Sequence, residues 1–200
     1  MNSGTVRAFI AAELPRFTVD SLEKIQSRMK EVVGGVRWVR PDYIHLTVAF
    51  LGDVETSRIA PVSDAVRREA AGLNRMAFFL DGLGVFPDLK RPRVIWVGLD
   101  GEKRELASLH KGLADELEGI GFRREQRSFI PHLTLGRVKY PRQVPRTLAE
   151  ILDRERTLVD SSLFELEGLT LFKSELTTGG AVYTRLAYFP FQGRQRDCEV

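Results

Sequence analysis

Hydrophobic and polar positions along this chain predict strands and helices that follow one another in a repeated order. Residues 6–14 and 93–99 are apolar runs typical of buried strands. From about Thr18 to Val33 apolar residues recur at helical spacing, and a pair of glycines follows. The whole pattern predicts strands at 6–14, 36–40, 44–51, 76–86, 93–99, 129–138, 163–173 and 181–189, and helices at 18–33, 56–71, 102–119 and 146–154.

The predicted order of strand, helix, strand, helix, strand occurs twice, and single residues recur with it. Phe9 lies 36 residues before His45, and Trp96 lies 36 residues before His132. The two histidines lie 87 residues apart, and a period of this length is far longer than that of a solenoid repeat. We therefore expect two duplicated lobes related by a pseudo-twofold axis, which would place equivalent residues opposite each other across a cleft.

The extent of the duplication predicts the domain organisation. The segment 81–86 resembles 167–172 at an offset of 86 residues, close to the offset of 87 between the two histidines. We expect a single domain over residues 1–192, with an internal repeat at about 6–86 and 93–173. Residues 193–200 are expected to form a loose tail.

The candidate chemistry lies in two matched His-Leu-Thr segments at equivalent points of the repeat. Side chains at positions i and i+2 of a strand point to the same face. His45 and Thr47 therefore project together, as do His132 and Thr134, and their leucines point into the core. The third histidine, His110, has no matching threonine and is interpreted as a surface residue of a helix.

Two imidazoles and two hydroxyls at one point suit displacement at phosphorus. Such a reaction needs a base for the attacking oxygen and an acid for the leaving oxygen on the opposite side, and histidine serves both roles because its pKa is near neutrality. Threonine hydroxyls can donate hydrogen bonds to the nonbridging phosphate oxygens, where charge develops.

Composition narrows the class of protein without identifying it. Hydrophobic residues make up 43% and charged residues 28% of the 200-residue chain, as in ordinary globular proteins. Of the 30 basic residues 23 are arginine, although the net charge is only +3. Arginine matches phosphate geometry, but a genome rich in G and C explains the same excess.

Location and cofactors are expected from what the sequence lacks. No apolar run approaches the ~20 residues of a membrane span, and the segment 1–5 does not have the pattern of a secretory signal. The single cysteine, Cys198, has no disulfide partner. Zinc-ligand spacing and glycine-rich nucleotide motifs are missing. We therefore expect a cytoplasmic protein, without metal or other cofactor, for which ATP-driven ligation is unsupported.

Beyond these patterns, the sequence resembles the two-histidine (2H) phosphoesterase superfamily. It is most similar there to the bacterial and archaeal RNA 2′,3′-cyclic phosphodiesterases, historically called 2′-5′ RNA ligases. The resemblance covers about residues 5–190. It is carried by the segments Arg7–Ala11, Arg37–Pro41, His45–Gly52, Phe86-Pro87 and Phe129–Arg137.

The resemblance implies a bilobed α+β fold in which antiparallel sheets line a central cleft. It also implies hydrolysis of an RNA terminal 2′,3′-cyclic phosphate to a 2′-phosphomonoester. His45 would be the acid that protonates the departing 3′ oxygen, and His132 would be the base that activates water. The residues leave the opposite assignment open. Thr47 and Thr134 would hold the phosphate.

Further candidates flank the two segments. Arg137 matches a basic position of the family and is a candidate phosphate ligand, although its strand parity is opposite to that of His132, so a twist or bulge is required. Phe50, at the equivalent place in the first segment, is interpreted as a core residue rather than a base-stacking one. Other candidates for RNA contacts are Tyr43, Arg40 and Arg127, against the alternatives of a strand-edge aromatic and plain surface charge.

Three functions remain open on sequence grounds. The first is hydrolysis of RNA ends carrying a 2′,3′-cyclic phosphate, with tRNA fragments or small cyclic nucleotides as possible substrates. The second is 2′-5′ ligation, the reverse type of reaction, which the same two histidines would serve. The third is a noncatalytic RNA-binding module, against which the presence of both histidines and both threonines argues. We expect a monomer that does not bind membranes.

Overall fold

The computed structural model describes residues 4–156, 159, 162–178 and 180–193, and shows an α+β protein. Its described residues form four helices and nine strands. The helices are α1 (Arg16–Val32), α2 (Ile59–Ala71), α3 (Lys103–Gly119) and α4 (Leu148–Arg156). The strands are β1 (Thr5–Ala12), β2 (Val36–Trp38), β3 (Leu46–Glu55), β4 (Met76–Phe86), β5 (Val94–Gly101), β6 (His132–Val138), β7 (Phe164–Leu166), β8 (Gly168–Thr177) and β9 (Gly180–Pro190).

The strands form one antiparallel sheet with two similar halves. Their order is β7-β4-β5-β6 in one half and β3-β1-β8-β9 in the other, and β2 pairs with the free part of the β6 edge. The halves meet at β3 and β6 through a single registered pair, Leu46 with Leu133. These are the central residues of the two His-Leu-Thr segments. The two-lobed antiparallel architecture expected from the sequence is therefore confirmed.

The halves of the sheet do not coincide with the repeats of the sequence. Strand β4, the last strand of the first repeat, pairs with β5, the first strand of the second. Strand β8 comes from the second repeat, but it pairs with β1 of the first repeat, in the half of the sheet that contains β3. Each repeat thus supplies a strand to the other half of the sheet, so neither half is built from one repeat alone.

One face of the sheet carries the hydrophobic core. Leu46 and Leu133 are fully buried in the same cluster as the apolar residues of the helices. In α3 these residues follow helical spacing at Leu106, Leu109 and Leu113. Burying each leucine contributes about 1.5–3 kcal/mol. Because the leucines of the tripeptides point into this core, their histidines and threonines lie on the opposite face.

The predicted elements are present, with shifted bounds. The strand predicted at 163–173 is two strands, separated at Glu167. The strand predicted at 129–138 begins only at His132, since Pro131 before it has no N–H to donate to a strand neighbour. Gly193 donates its backbone N–H to Leu73. The rest of the expected tail, with Cys198, lies outside the described residues.

Candidate active site

The two histidines lie at the junction of the two halves of the sheet. His45 directly precedes β3, and His132 is the first residue of β6. In an antiparallel pair centred on Leu46 and Leu133, the residue before one leucine lies toward the residue after the other. Each histidine is thus directed toward the threonine of the other segment. The arrangement brings both segments to one place.

Each histidine has a hydrogen bond to the backbone two residues before it. The Nδ1 atom of His132 lies 2.8 Å from the carbonyl oxygen of Ile130. His45 has a hydrogen bond with the backbone of Tyr43. A neutral imidazole that donates from Nδ1 keeps the lone pair on Nε2. In His132, Nε2 is therefore the atom available to a ligand.

The ring of His45 is enclosed by aromatic side chains from three strands. It stacks on Phe9 at 4.8 Å between centroids and lies 6.0 Å from Phe172. The edge of Tyr183 contacts it at 5.4 Å. Tyr183, on β9, is a residue that the sequence did not single out, because no repeated motif marks its position.

The ring of His132 has a smaller aromatic environment. Phe86 meets it edge to face at 4.9 Å, and Trp96 lies 6.3 Å away. Gly84 makes room for this tryptophan, since a Cβ at that position would collide with the indole ring. Trp96 and Phe9, each 36 residues before its histidine, both lie near that histidine but in different registers, since Trp96 pairs with Thr134 and Phe9 pairs with Phe50.

These environments lower the pKa of both histidines. Burial is the largest cause for His45 and lowers its pKa to about 4, with smaller contributions from the charges of Arg137 and His132. Burial also lowers the pKa of His132, opposed by the hydrogen bond to Ile130 and aided by Arg137. The effect of His132 on the pKa of His45 indicates that the two imidazoles lie within electrostatic reach of each other.

The threonine hydroxyls are available for a ligand. Thr47 and Thr134 are half-buried on the same face as the histidines. Within the described part of the chain, neither hydroxyl has a hydrogen-bond partner. Two small donors without internal partners, next to two imidazoles, form a place where an anion can bind.

Arg137 reaches the same place because β6 contains a bulge. Along the β5–β6 pair, Ile95 faces Gly136 but Trp96 faces Thr134, which leaves Leu135 as an extra residue. A bulge of this kind reverses the alternation of side chains beyond it. Beyond the bulge, the side chain of Arg137 lies on the same face as His132, which removes the objection from strand alternation. The positive charge of Arg137 lowers the pKa of both histidines.

A buried glutamine on α1 stabilises the bulge. The side-chain amide of Gln26 donates hydrogen bonds to the carbonyl of Leu135 at 2.7 Å and to that of Val39 at 2.8 Å. The N–H of Val39 also donates to Leu135, at 2.9 Å. The carbonyl of the extra residue is therefore held from two sides, and Gln26 is fully buried while doing so.

The interpretation of Phe50 as a core residue is wrong. Its side chain is 69% exposed and lies 6.3 Å from the Phe9 ring, next to His45. Along the β1–β3 pair, Ala11 faces Thr47 but Ile10 faces Ala49, which leaves Val48 of β3 as an extra residue. This irregularity turns Phe50 out of the core, as the β6 bulge does for Arg137, its equivalent in the repeat.

The remaining candidates lie at the edges of this site. Tyr43 belongs to a short 3-10 turn rather than a strand and contacts Tyr183 at 5.0 Å. Arg40 lies over the Tyr43 ring at 4.6 Å. Arg127 is 90% exposed in the segment before β6, with Glu125 at 3.5 Å. Tyr43 and Arg40 are thus brought to the His45 side, whereas nothing ties Arg127 to the histidines.

His110 is not the plain surface residue that its sequence context indicated. It is half-buried on α3, and its ring stacks on Phe129 at 4.2 Å. Phe129 belongs to the segment that leads into His132. The third histidine therefore packs against the approach to the site and lies outside it.

Metal clusters and membrane-spanning helices are both absent from the described residues. No group of three or more histidine, cysteine or acidic side chains there could hold a metal ion. No helix in the same part of the chain is long and apolar enough to cross a membrane.

Comparison with known proteins agrees with this geometry. The LigT-like phosphoesterase family matches residues 13–96 and 97–183, one match for each half of the sequence. RNA 2′,3′-cyclic phosphodiesterases of Methanothermobacter thermautotrophicus and Aquifex aeolicus are 34% and 33% identical. The alignments cover 92% and 94% of this chain, and 98% of each relative.

Solved structures show the same fold. A protein of Thermus thermophilus superposes with a TM-score of 0.80 at 28% identity, covering 94% of this chain and 99% of that one. Escherichia coli LigT in complex with 3′-AMP superposes with a TM-score of 0.72 at 25% identity, covering 94% and 98%. The fold is that of a 2H phosphoesterase. Within that class, the chain belongs to the LigT-like phosphoesterase family, which confirms the resemblance drawn from its motifs.

Proposed function

We propose that this protein hydrolyses the terminal 2′,3′-cyclic phosphate of RNA to a 2′-phosphomonoester, with His45 and His132 as the proton-transfer groups. The observation that carries the proposal is the pairing of Leu46 with Leu133, which brings the two imidazoles to one place, with Nε2 of His132 free. The names of the relatives, RNA 2′,3′-cyclic phosphodiesterases, support the reaction.

The proposed reaction needs no group beyond these side chains and water. Nε2 of His132 takes a proton from water as the water oxygen attacks phosphorus. The bond between phosphorus and O3′ breaks, and Nε2 of His45 donates its proton to O3′. The product carries a 2′-phosphate and a 3′-hydroxyl. Proton exchange with solvent then restores both histidines.

The lowered pKa of His45 sets a condition on the acid role. With a pKa of about 4, His45 is neutral in the free enzyme near neutral pH. A bound phosphate carries negative charge, which favours the protonated imidazole and raises its pKa. The proposed acid therefore takes up its proton with the substrate.

A substrate with sulfur in place of O3′ distinguishes the two roles. A thiolate leaves without an acid because its conjugate thiol has a pKa near 8.5. His45→Ala should therefore regain most of its lost rate on this substrate, whereas His132→Ala should not. The reverse pattern would establish the opposite assignment.

The neighbouring residues have proposed roles that follow from their positions. Thr47 and Thr134 would donate to the nonbridging oxygens, and Arg137 would neutralise the charge that develops there. Phe50 offers an exposed ring on which the terminal base can stack. Tyr43 is a second, weaker candidate for stacking.

Two arginines have weaker proposed roles. Arg40, over the Tyr43 ring, and Arg127, on the exposed segment before β6, are candidates for contacts to the RNA backbone. Their exposure leaves them free to meet a strand that extends beyond the cleft.

The central test is a cleavage assay on RNA ending in a 2′,3′-cyclic phosphate, carried out in EDTA with identification of the product isomer. His45→Ala and His132→Ala should each lower the rate by about 10²–10⁴. His110→Ala, a third histidine outside the cleft, is the matched control. A fully active variant at position 45 or 132 would refute the paired acid–base mechanism, and loss of activity in EDTA would refute its independence of metal.

Ligation through a 2′-5′ bond is a second candidate reaction. A 5′-hydroxyl end would replace water as the nucleophile, and O3′ would leave in the same way, so no proton transfer would change. Adding a 5′-hydroxyl oligonucleotide to the assay measures the share of joined product. RNA binding without any turnover would instead support the noncatalytic alternative. A monomeric state and a cytoplasmic location remain proposals, which sedimentation and cell fractionation would test.

A further inference from the structure

Next to the site, the sheet places two arginines opposite each other. In the β2–β6 pair, Arg37 is the direct partner of Arg137. Directly opposite residues extend to the same face with Cβ atoms about 4.5–5.5 Å apart, and like charges in such a pair are destabilising. The fold therefore tolerates a repulsion that a neutral residue at position 37 would avoid.

A third cation lies next to this pair. Lys139 follows Arg137 by two residues, in the bend directly after β6, where its backbone N–H donates to Gly35, just before β2, at 2.8 Å. Arg37, Arg137 and Lys139 are all exposed. Within the residues that the structure describes, none of the three forms an ion pair with a carboxylate, whereas Arg75 and Arg124 elsewhere do.

The contacts near these cations leave their charge available. The Lys139 ammonium lies 5.3 Å from the Tyr140 ring centroid, a contact that does not neutralise it. An anion from outside the protein would remove the repulsion between the paired arginines.

The three cations do not stand in the same relation to the histidines. Arg137 lowers the pKa of both, but Arg37 and Lys139 are not among the groups that perturb either ring. Arg137 is thus the cation that acts on the histidines, while Arg37 lies opposite it on β2 and Lys139 follows it in the direction away from His132. An RNA strand carries a phosphodiester one nucleotide before its end, and that second anion matches the second group of cations.

We propose that Arg37 and Lys139 form a second phosphate subsite, which binds the phosphodiester that precedes the terminal nucleotide. This inference rests on the proposed function. It identifies the preferred substrate class as oligonucleotide ends rather than free cyclic mononucleotides. The contacts would be to phosphate and therefore independent of base sequence.

The test compares two substrates on one enzyme. Turnover of adenosine 2′,3′-cyclic phosphate and of an adenosine dinucleotide with the same cyclic end gives two values of kcat/KM. We expect the wild-type protein to prefer the dinucleotide. The double variant Arg37→Gln/Lys139→Gln should lower the ratio of the two values about tenfold, in line with the loss of charge-assisted hydrogen bonds. The dinucleotide reaction should also become less sensitive to salt.

A matched control removes the same charges elsewhere. Arg104→Gln/Lys111→Gln takes one arginine and one lysine from exposed positions of α3 and should leave the ratio unchanged. The unfolding free energy of Arg37→Gln should not fall, because a like-charge pair is removed, so loss of folding cannot mimic the effect.

The outcomes separate the inference from the function on which it rests. An unchanged ratio in the double variant would overturn the second subsite, as would a wild-type protein without preference for the dinucleotide. A wild-type protein that turned over neither substrate would instead refute the proposed function.

Discussion

The two halves of the sheet present the same tripeptide in different surroundings. On the β3 side, His45 is enclosed by Phe9, Phe172 and Tyr183, and the exposed ring of Phe50 lies beside them. On the β6 side, the position equivalent to Phe50 holds Arg137, which continues into a surface of unpaired cations. One half is apolar and aromatic, and the other is cationic.

This difference indicates that the two copies of a duplicated site can bind different parts of one substrate. The proposed proton transfers use the histidine of each copy, and both copies contain it. The remaining contacts of a nucleotide differ in kind, because a base is bound by stacking and a phosphate by charge. We therefore interpret the β3 side as the side of the base and the β6 side as the side of the phosphates.

Among the variants that test this division, the removal of the Arg137 charge should have the largest effect on activity. Arg137→Gln takes away a charge aimed at the developing negative charge, and kcat should fall about 10²-fold, as when other preorganised donors are removed. The pKa of both histidines should rise, because Arg137 lowers both. With only three histidines in the chain, NMR titration can follow each ring. Unchanged titration curves would contradict the position assigned to Arg137.

Removing the stacking ring should have a smaller effect. Phe50→Ala should lower kcat/KM about tenfold, the loss expected for one stacked base, and Phe50→Tyr should retain most of the activity. The stability of Phe50→Ala should change little, since the side chain is 69% exposed. A loss of stability equal to that of a core variant would support the core interpretation after all.

The bulge itself can be tested through Gln26. Gln26→Leu removes the amide that holds the carbonyl of Leu135 and should lower kcat/KM about fivefold through a displaced Arg137, besides costing about 1–3 kcal/mol of stability. A double-mutant cycle identifies the route. In the Arg137→Gln background, Gln26→Leu should leave kcat/KM unchanged. A further fivefold loss there would show that the glutamine acts by another path.

The smallest expected effect is on the pH dependence of the unfolding free energy. The pKa of His45 is lower in the folded protein, about 4, than its ordinary value of 6.5, so the unfolded chain binds the proton more strongly. Its contribution is complete above pH 6.5 and is lost as pH falls toward 4. As the pH falls over this interval, the unfolding free energy of His45→Asn should therefore decrease by about 1–2 kcal/mol less than that of wild type, after discounting for partial exposure. If the unfolding free energies of wild type and His45→Asn changed in parallel with pH, the burial of the His45 ring would be contradicted.

The candidate site was predictable to the extent that local periodicity determines it. The spacing of His45 and Thr47 places them on one face in any strand, and the repeat predicts a partner segment at His132. Phe50 was wrongly interpreted as a core residue, and Arg137 could reach the site only through a bulge. Both facts have one cause. Strand parity assumes a regular ladder, and both strands depart from one just beyond their tripeptides.

The sequence by itself determined the element types, the two-lobed α+β class, the family, and the two His-Leu-Thr segments, because these depend on short-range pattern and motif. Only the tertiary structure decided which strands complete each half of the sheet, where the ladder bulges, and that Tyr183 closes over His45. Each of these depends on pairing between residues far apart in the chain, as with Leu46 and Leu133 or Gln26 and Leu135. The energies that select such pairs belong to the assembled sheet, and no local pattern records them.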